Sequence, residues 1–267
     1  MRKIKKRTRK RAAFQAANIV ANANIRKSWG RRPLRGLLAF AFILFLAWCG
    51  NIWWQVSHES CTFNPNNLPK GTLYWGGAGL DGPYIKRHSQ HFAEVGIKNV
   101  YVGRSMTASQ WLAKPLNMFA DAFRAGLLLR SPDNGDWAVC GMKGGAQFNL
   151  IGYSYGSSLA AQTALAYARR GVVVDHLILI GSPIGPELKT ALLNNPRINV
   201  HFVDLREYGD PIYPGMSMGE VASAVPTLVR QMIEDKGEGH FYYAHDVSDS
   251  DDRIRALARQ VYNLGVR

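Results

Sequence analysis

Short runs of apolar residues alternate along the chain with longer segments in which apolar positions recur every three or four residues. Short apolar runs bounded by glycine and polar residues predict buried strands, whereas the longer periodicity predicts helices. The predicted strands are Gly71–Trp75, Asn99–Val102, Phe148–Ile151, Val172–Ile180 and Ile198–Leu205.

The predicted helices lie between and after these strands. The first ends near Val95, the others cover about 112–129, 157–169, 220–233 and 252–264, and a short helical stretch separates the last two strands. Strands that alternate with helices and are apolar along their whole length are typical of a parallel sheet covered on both faces. The expected fold class is therefore α/β, with a mostly parallel sheet flanked by helices.

Residues 37–56 interrupt this pattern, because they form an uncharged stretch that reads LLAFAFILFLAWCGNIWWQV. Twenty such residues are long enough to cross a bilayer, and a tryptophan cluster at one end is typical of the membrane interface. Two alternatives are a cleaved signal peptide and a lipoprotein anchor at Cys49. The long basic region before the stretch and the absence of a small-residue cleavage site disfavour the first. Trp48, a large residue directly before Cys49, disfavours the second.

The charge is concentrated ahead of that stretch. The chain has a formal net charge of +14, and residues 1–36 hold 13 of its 33 Lys and Arg and none of its 19 Asp and Glu. The positive-inside rule then puts the amino terminus in the cytoplasm and the body on the extracytoplasmic side, periplasmic or extracellular. We expect three parts: a basic cytoplasmic tail (1–36), a transmembrane helix (37–56) and a folded α/β domain (57–267).

The basic tail has several possible uses. Clustered Lys and Arg can bind anionic lipid headgroups or RNA, and they can equally be a solvated topology signal. The body from residue 57 onward is close to neutral, with 20 basic against 19 acidic residues. We therefore expect a membrane partner and do not expect nucleic acid.

The sequence matches the pattern GxSxG twice, at Ser154 and at Ser217. This motif presents a nucleophile only when the serine lies on a sharp turn between a buried strand and a helix. Ser154 follows a predicted strand and opens a predicted helix. Ser217 follows Pro211 and Pro214, which exclude a central strand. Ser154 is therefore the candidate nucleophile.

A serine hydroxyl needs a base to take its proton, and the base needs a carboxylate to orient it. In parallel sheets, functional groups gather beyond the carboxyl ends of the strands. Asp175 precedes its strand and so lies at the wrong edge. Asp210 lies in the loop beyond the last predicted strand and is the favoured acid, with Asp204, at the end of that strand, as the alternative.

Two histidines follow Asp210 in the chain, as the order nucleophile, acid, histidine requires. His240 belongs to a glycine-containing loop and is the favoured base. His245 is the alternative, because the run Phe241-Tyr242-Tyr243-Ala244 before it resembles a last strand. The earlier pair His88 and His91, spaced three residues apart, predicts surface positions rather than a metal site, since no third ligand is near in the sequence.

An oxyanion formed during acyl transfer needs two backbone donors. One is expected from Tyr155, the residue after the nucleophile, and the other from the loop after an early strand. The loop Gly76-Gly77-Ala78-Gly79 follows the first predicted strand, and its small residues allow backbone amides to approach a substrate oxygen.

From about Gly71 to its end the chain resembles the α/β-hydrolase fold of lipases, esterases and thioesterases. Ile180-Gly181-Ser182-Pro183 also resembles this family. The resemblance implies Ser154, Asp210 and His240 as catalytic residues, with Tyr155 and Gly77 or Ala78 as the oxyanion hole. Two departures are the short or missing amino-terminal strands and the lack of a clear strand before His240.

The expected function is a membrane-anchored serine hydrolase that cleaves lipid-like carboxylic esters or thioesters through an acyl-enzyme at Ser154, without cofactor or metal. An acyltransferase with the same residues and a non-catalytic α/β-hydrolase-like binding protein are the alternatives. Cys61 and Cys140 form either one disulfide or two buried thiols. The residues expected to line an acyl groove are Met106, Trp111, Leu112, Leu116, Met216 and Met218.

Overall fold

The computed structural model describes residues 36, 40, 42–46, 62–80, 82–103 and 114–267, with the side chains of 114–117 left undescribed. The chain forms two compact units, residues 1–53 and 54–267. In the first, residues 42–46 are helical and the side chains of Phe42 and Ile43 are exposed. None of the described helices is both long enough and apolar enough to cross a bilayer. Most of the predicted span 37–56 lies outside the described residues.

The second unit contains the predicted alternation of strands and helices. All five predicted strands form, and the helix Tyr155–Arg169 starts two residues before its predicted start at residue 157. In chain order the elements are β1 (Gly71–Trp75), α1 (Tyr84–Glu94), β2 (Val100–Val102), α2 (Lys114–Phe123), a π-helical turn (Arg124–Leu128), β3 (Phe148–Tyr153), α3 (Tyr155–Arg169), β4 (Val174–Ile180), α4 (Pro186–Leu193), β5 (Ile198–Val203), α5 (Met218–Glu234) and α6 (Ser250–Asn263).

The five described strands form one parallel sheet in the order β2-β1-β3-β4-β5. β1 and β3 are buried along their whole length. A central parallel strand is covered on both faces, which explains why these segments are almost continuously apolar. The predicted parallel sheet with flanking helices is confirmed.

Alternate side chains of each strand enter two different cores. Leu150 and Leu177 pack on the side of α3 and α4, whereas Ile151 and Ile178 pack on the side of α1 and α6. Each of these four side chains is fully buried, and burial of one such side chain contributes about 1.5–3 kcal/mol. The small residues of α3 let this helix lie against the sheet with nearly every position buried.

The strand order reverses between β1 and β3. β1 pairs with β2 on one side and with β3 on the other, so the connections after β1 and after β3 leave in opposite directions. At such a switch point the carboxyl ends of the two strands open a crevice, which is the usual ligand position in open α/β sheets. The loop Gly76–Gly79 and Ser154 lie at these two strand ends.

Candidate active site

Ser154 occupies a sharp turn between β3 and α3. Its backbone has φ 54° and ψ −119°, a conformation that side-chain-bearing residues rarely adopt and that costs about 1–3 kcal/mol. The glycines on either side make this turn possible. A Cβ at Gly152 would lie 2.3 Å from the carbonyl oxygen of Gly156, and a Cβ at Gly156 would lie 2.4 Å from the carbonyl oxygen of Gly76.

Three side chains from three loops form a continuous hydrogen-bonded chain. The Ser154 Oγ lies 2.7 Å from Nε2 of His240, and Nδ1 of His240 lies 2.8 Å from Oδ2 of Asp210. A neutral imidazole that donates from Nδ1 to the carboxylate has its Nε2 lone pair directed at the serine hydroxyl. This arrangement can accept the serine proton and stabilise the imidazolium that results.

Asp210 lies in the loop that follows β5. Its side chain is completely buried, and its second oxygen, Oδ1, accepts the N–H of Ile212 at 2.8 Å. The alternative acid, Asp204, is partly exposed and forms a salt bridge with Arg206 instead. Of the two predicted acids, the structure thus brings only Asp210 to the histidine.

His240 lies in a 3-10 turn, Gly239–Phe241, between α5 and α6. Its carbonyl oxygen accepts a hydrogen bond from the hydroxyl of Tyr153, and its ring stacks on the Tyr153 ring with centroids 6.0 Å apart. Burial raises the pKa of Tyr153 well above its ordinary value of 10, so the phenol stays protonated and remains a donor. Tyr153, the residue directly before the nucleophile, therefore restrains the backbone of His240.

The alternative base, His245, is turned to a different neighbour. Its Nδ1 lies 3.2 Å from Oδ1 of Asp235, and it also accepts the N–H of Gly237. The strand expected over residues 241–244 is wrong, because the chain there forms turns in which the N–H groups of Ala244 and His245 bond back to Phe241.

The predicted oxyanion loop lies close to the nucleophile, because a Cβ at Gly77 would be 3.4 Å from the Ser154 Cβ. The N–H of Gly77 is already used, since it donates to the Tyr84 hydroxyl at 2.6 Å. The N–H of Ala78, by contrast, donates no hydrogen bond within the described part of the chain. Tyr155 opens α3, and the N-terminal end of a helix favours negative charge.

An ion pair beneath this loop connects it with Tyr155. Asp121 on α2 accepts the N–H of Gly79 at 2.9 Å, and it lies 3.5 Å from the buried guanidinium of Arg124. That guanidinium in turn lies over the Tyr155 ring, 5.4 Å from its centroid. The Asp121–Arg124 pair connects the loop Gly76–Gly79 with Tyr155. Because this loop and Tyr155 are far apart in the sequence, residue spacing did not identify the pair.

The second GxSxG serine has a structural role. Ser217 is the N-cap of α5, where its hydroxyl accepts the N–H of Glu220 while the Glu220 carboxylate accepts the N–H of Ser217. This capping box satisfies two backbone donors at the start of the helix. The sequence interpretation that Ser217 is not the nucleophile agrees with this position.

The prediction of surface positions for His88 and His91 is wrong. His88 is completely buried among aromatic rings, where its Nδ1 bonds the Tyr74 hydroxyl, and His91 is nearly buried beside Glu94. Burial lowers the pKa of His88 to about 3, so the ring is neutral at ordinary pH. Within the described residues, no group of three or more His, Cys, Asp or Glu side chains is arranged to hold a metal ion.

The residues expected to line an acyl groove are only partly described. Met216 is buried and Met218 is exposed at the start of α5. Met106, Trp111 and Leu112 lie outside the described residues, as does the Leu116 side chain. Of the two body cysteines, Cys140 is disulfide-bonded, and Cys61 lies outside the described residues.

Comparison with protein-family models, with curated proteins and with solved structures gives no match in any of the three. The geometry of the site therefore defines its class. The described part of the chain folds into a five-stranded parallel sheet flanked by helices, and the site is a serine, histidine and aspartate in hydrogen-bond contact at the switch point.

Proposed function

We propose that this protein is a serine hydrolase that cleaves carboxylic esters or thioesters through an acyl-enzyme on Ser154. The observation that carries the proposal is the bonded chain from the Ser154 hydroxyl through His240 to the buried Asp210, with contacts of 2.7 and 2.8 Å. Such a chain activates a hydroxyl that is otherwise a poor nucleophile.

The fold supports an α/β-hydrolase assignment. The nucleophile follows the central strand β3, the acid follows β5 and the histidine comes last, which is the chain order of that fold. The strained turn at Ser154 is the feature that exposes the nucleophile above the sheet in this family.

Ser154, His240 and Asp210 have separate roles in the proposed reaction. His240 Nε2 takes the Ser154 proton while Oγ forms a bond to the substrate carbonyl carbon, and the resulting imidazolium is stabilised by Asp210. The same proton then passes to the leaving oxygen or sulfur as its bond to carbon breaks. Water, deprotonated by His240, attacks the acyl-enzyme and releases the acid and the free serine.

The N–H groups of Tyr155 and Ala78 are the proposed oxyanion donors. Gly77 contributes only after its N–H leaves the Tyr84 hydroxyl, which holds it at 2.6 Å. Removal of one such donor typically costs 100- to 1000-fold in kcat, so the loop conformation matters for rate.

The proposed substrate is a lipid-like ester, and the proposed location is a membrane. Residues 37–56 are the proposed anchor, with 1–36 on the cytoplasmic side and 57–267 on the extracytoplasmic side. The concentration of charge ahead of the span supports this orientation. The disulfide at Cys140 also supports it, since disulfides persist in oxidising compartments. Anionic lipid headgroups are the proposed partners of the basic tail.

This function is tested with p-nitrophenyl esters of increasing acyl length. Their hydrolysis by the full-length protein is measured in detergent micelles. We expect turnover that increases with acyl length, and a loss of about 10⁴-fold in kcat for Asp210→Asn. The amide oxygen keeps the bond from the N–H of Ile212, so the amide nitrogen replaces Oδ2, donates to Nδ1 of His240 and forces the opposite tautomer. Asp204→Asn is the matched control and keeps wild-type turnover. The proposal is contradicted if neither these esters nor the matching acyl thioesters are cleaved, or if both variants lose the same activity.

A further inference from the structure

One buried glutamine contacts both of the loops that carry the acid and the base. Gln231, on the inner face of α5, accepts the N–H of His240 through Oε1 at 3.1 Å. Its Nε2 donates to the carbonyl of Gly209, the residue directly before Asp210, at 2.9 Å. The donor and the acceptor of one amide are thus used on two different loops.

The surrounding chain is shaped around this amide. Gly239 precedes His240 with φ 56°, and a Cβ there would lie 2.1 Å from Nε2 of Gln231. A side chain at position 239 would therefore displace the amide from both loops. The glycine leaves the space that the Gln231 side chain occupies.

Both backbone polar groups of the base are held by buried side chains. Gln231 takes the N–H of His240, and the Tyr153 hydroxyl takes its carbonyl. The 3-10 turn that carries His240 has only three residues, so its own hydrogen bonds restrain it weakly. A buried N–H without a partner would cost about 1–3 kcal/mol, which favours rearrangement of the turn if Gln231 is removed.

We infer that Gln231 is a positioning residue that sets the spacing between the acid loop and the base loop. This inference rests on the proposed function, in which Asp210 must orient His240. Gln231 touches neither the reacting atoms nor Ser154. It acts through the backbone of Gly209 and His240, and a displacement of about 1 Å at a reacting group can cost 100-fold in rate.

The test compares Gln231→Met with Gln162→Met in the full-length protein. Gln162 is a matched control, because it is also a buried glutamine whose amide both donates to and accepts from backbone groups of another segment, through the carbonyls of Leu129 and Ser131 and the N–H of Asp133. Two readouts are measured: the second-order rate of labelling by a fluorophosphonate, and the low-field proton NMR signal of the His240 Nδ1–H. The signal is assigned by its loss in His240→Gln.

We expect Gln231→Met to lower the labelling rate by about 10- to 100-fold and to remove or broaden the His240 proton signal. Gln162→Met keeps the rate and the signal, although it lowers the denaturation midpoint. If Gln231 had a purely structural role, the labelling rate and the proton signal would change to the same extent in both variants.

The inference is overturned if Gln231→Met keeps the wild-type labelling rate and proton signal, or if wild type shows no His240 signal. Failure of the proposed function has a different signature. In that case wild type is not labelled, whereas its His240 proton signal is present and is lost in Gln231→Met, which supports the positioning role alone.

Discussion

Gly181 lies directly against the acid and the base. It has φ 52°, and a Cβ at this position would be 3.3 Å from Oδ2 of Asp210 and 3.5 Å from Cε1 of His240. We expect Gly181→Ala to lower kcat by about 10-fold or more, because the methyl group presses on the hydrogen bond between them. Steady-state ester hydrolysis measures this effect.

Gly171 provides the control for backbone strain. It also has a positive φ, 82°, but its added Cβ would meet nothing within 4 Å. Gly171→Ala should therefore lose about 1 kcal/mol of stability and keep its kcat. Equal losses of kcat in the two variants would show that strain, and not contact with the pair, is responsible.

The turn between strand and helix identified Ser154. Rules about strand ends and chain order narrowed the acid and the base to two candidates each, and the structure joins the favoured ones, Asp210 and His240. Gln231 and Tyr84 were not identified. Their side chains bond backbone groups of other loops, 22 residues away at Gly209 and seven residues away at Gly77. No local pattern encodes such a contact.

At the scale of elements, the capping box of α5 offers a test of the second GxSxG match. Ser217→Ala removes the side-chain acceptor for the N–H of Glu220. We expect the free energy of unfolding to fall by about 0.5–2 kcal/mol, as for other lost N-caps, while ester turnover is retained. Denaturant unfolding and turnover measured on the same preparation check both parts. Loss of turnover at full stability would contradict a capping role.

The strands were the easiest elements to predict, and the chain around the base was the hardest. A buried parallel strand needs an apolar run, so β1, β3 and β4 were evident from composition. The 3-10 turn at His240 has no periodicity, since it is held by the side chains of Gln231 and Tyr153. The aromatic run 241–244 matches the sequence pattern of a strand, but in the structure these residues form turns.

At the scale of the whole molecule, buried His88 makes stability depend on pH. Its pKa is about 3 in the folded protein because of burial, against 6.5 for an exposed histidine. Between these values the unfolded chain binds a proton that the folded protein does not. The free energy of unfolding therefore falls as the pH decreases from 6.5 towards 3, by about 1.4 kcal/mol per pH unit from this group.

Denaturant unfolding at pH 7 and pH 5 measures this dependence. The double variant Tyr74→Phe, His88→Phe removes the histidine and its hydrogen-bond partner together, so no buried hydroxyl loses its bond. We expect the double variant to lose less stability than wild type over this interval. An equal loss in both proteins would assign the pH dependence to other groups.

The parallel order of the sheet followed from the alternation of elements, whereas the position of the switch point did not. Only the pairing of β1 with both β2 and β3 shows where the two strand ends diverge. Most of the predicted membrane span, 37–56, and most of the basic tail lie outside the described residues, and the role of each remains a prediction from charge and apolar length.

The proposed function requires that Ser154 is an activated nucleophile. A fluorophosphonate reacts with such a serine by forming an oxygen–phosphorus bond and releasing fluoride, and peptide mass mapping locates the adduct. We predict one adduct, on Ser154, which is absent from Ser154→Ala and retained in Ser217→Ala. An adduct that persists in Ser154→Ala, or a wild-type protein that forms none, would contradict the account.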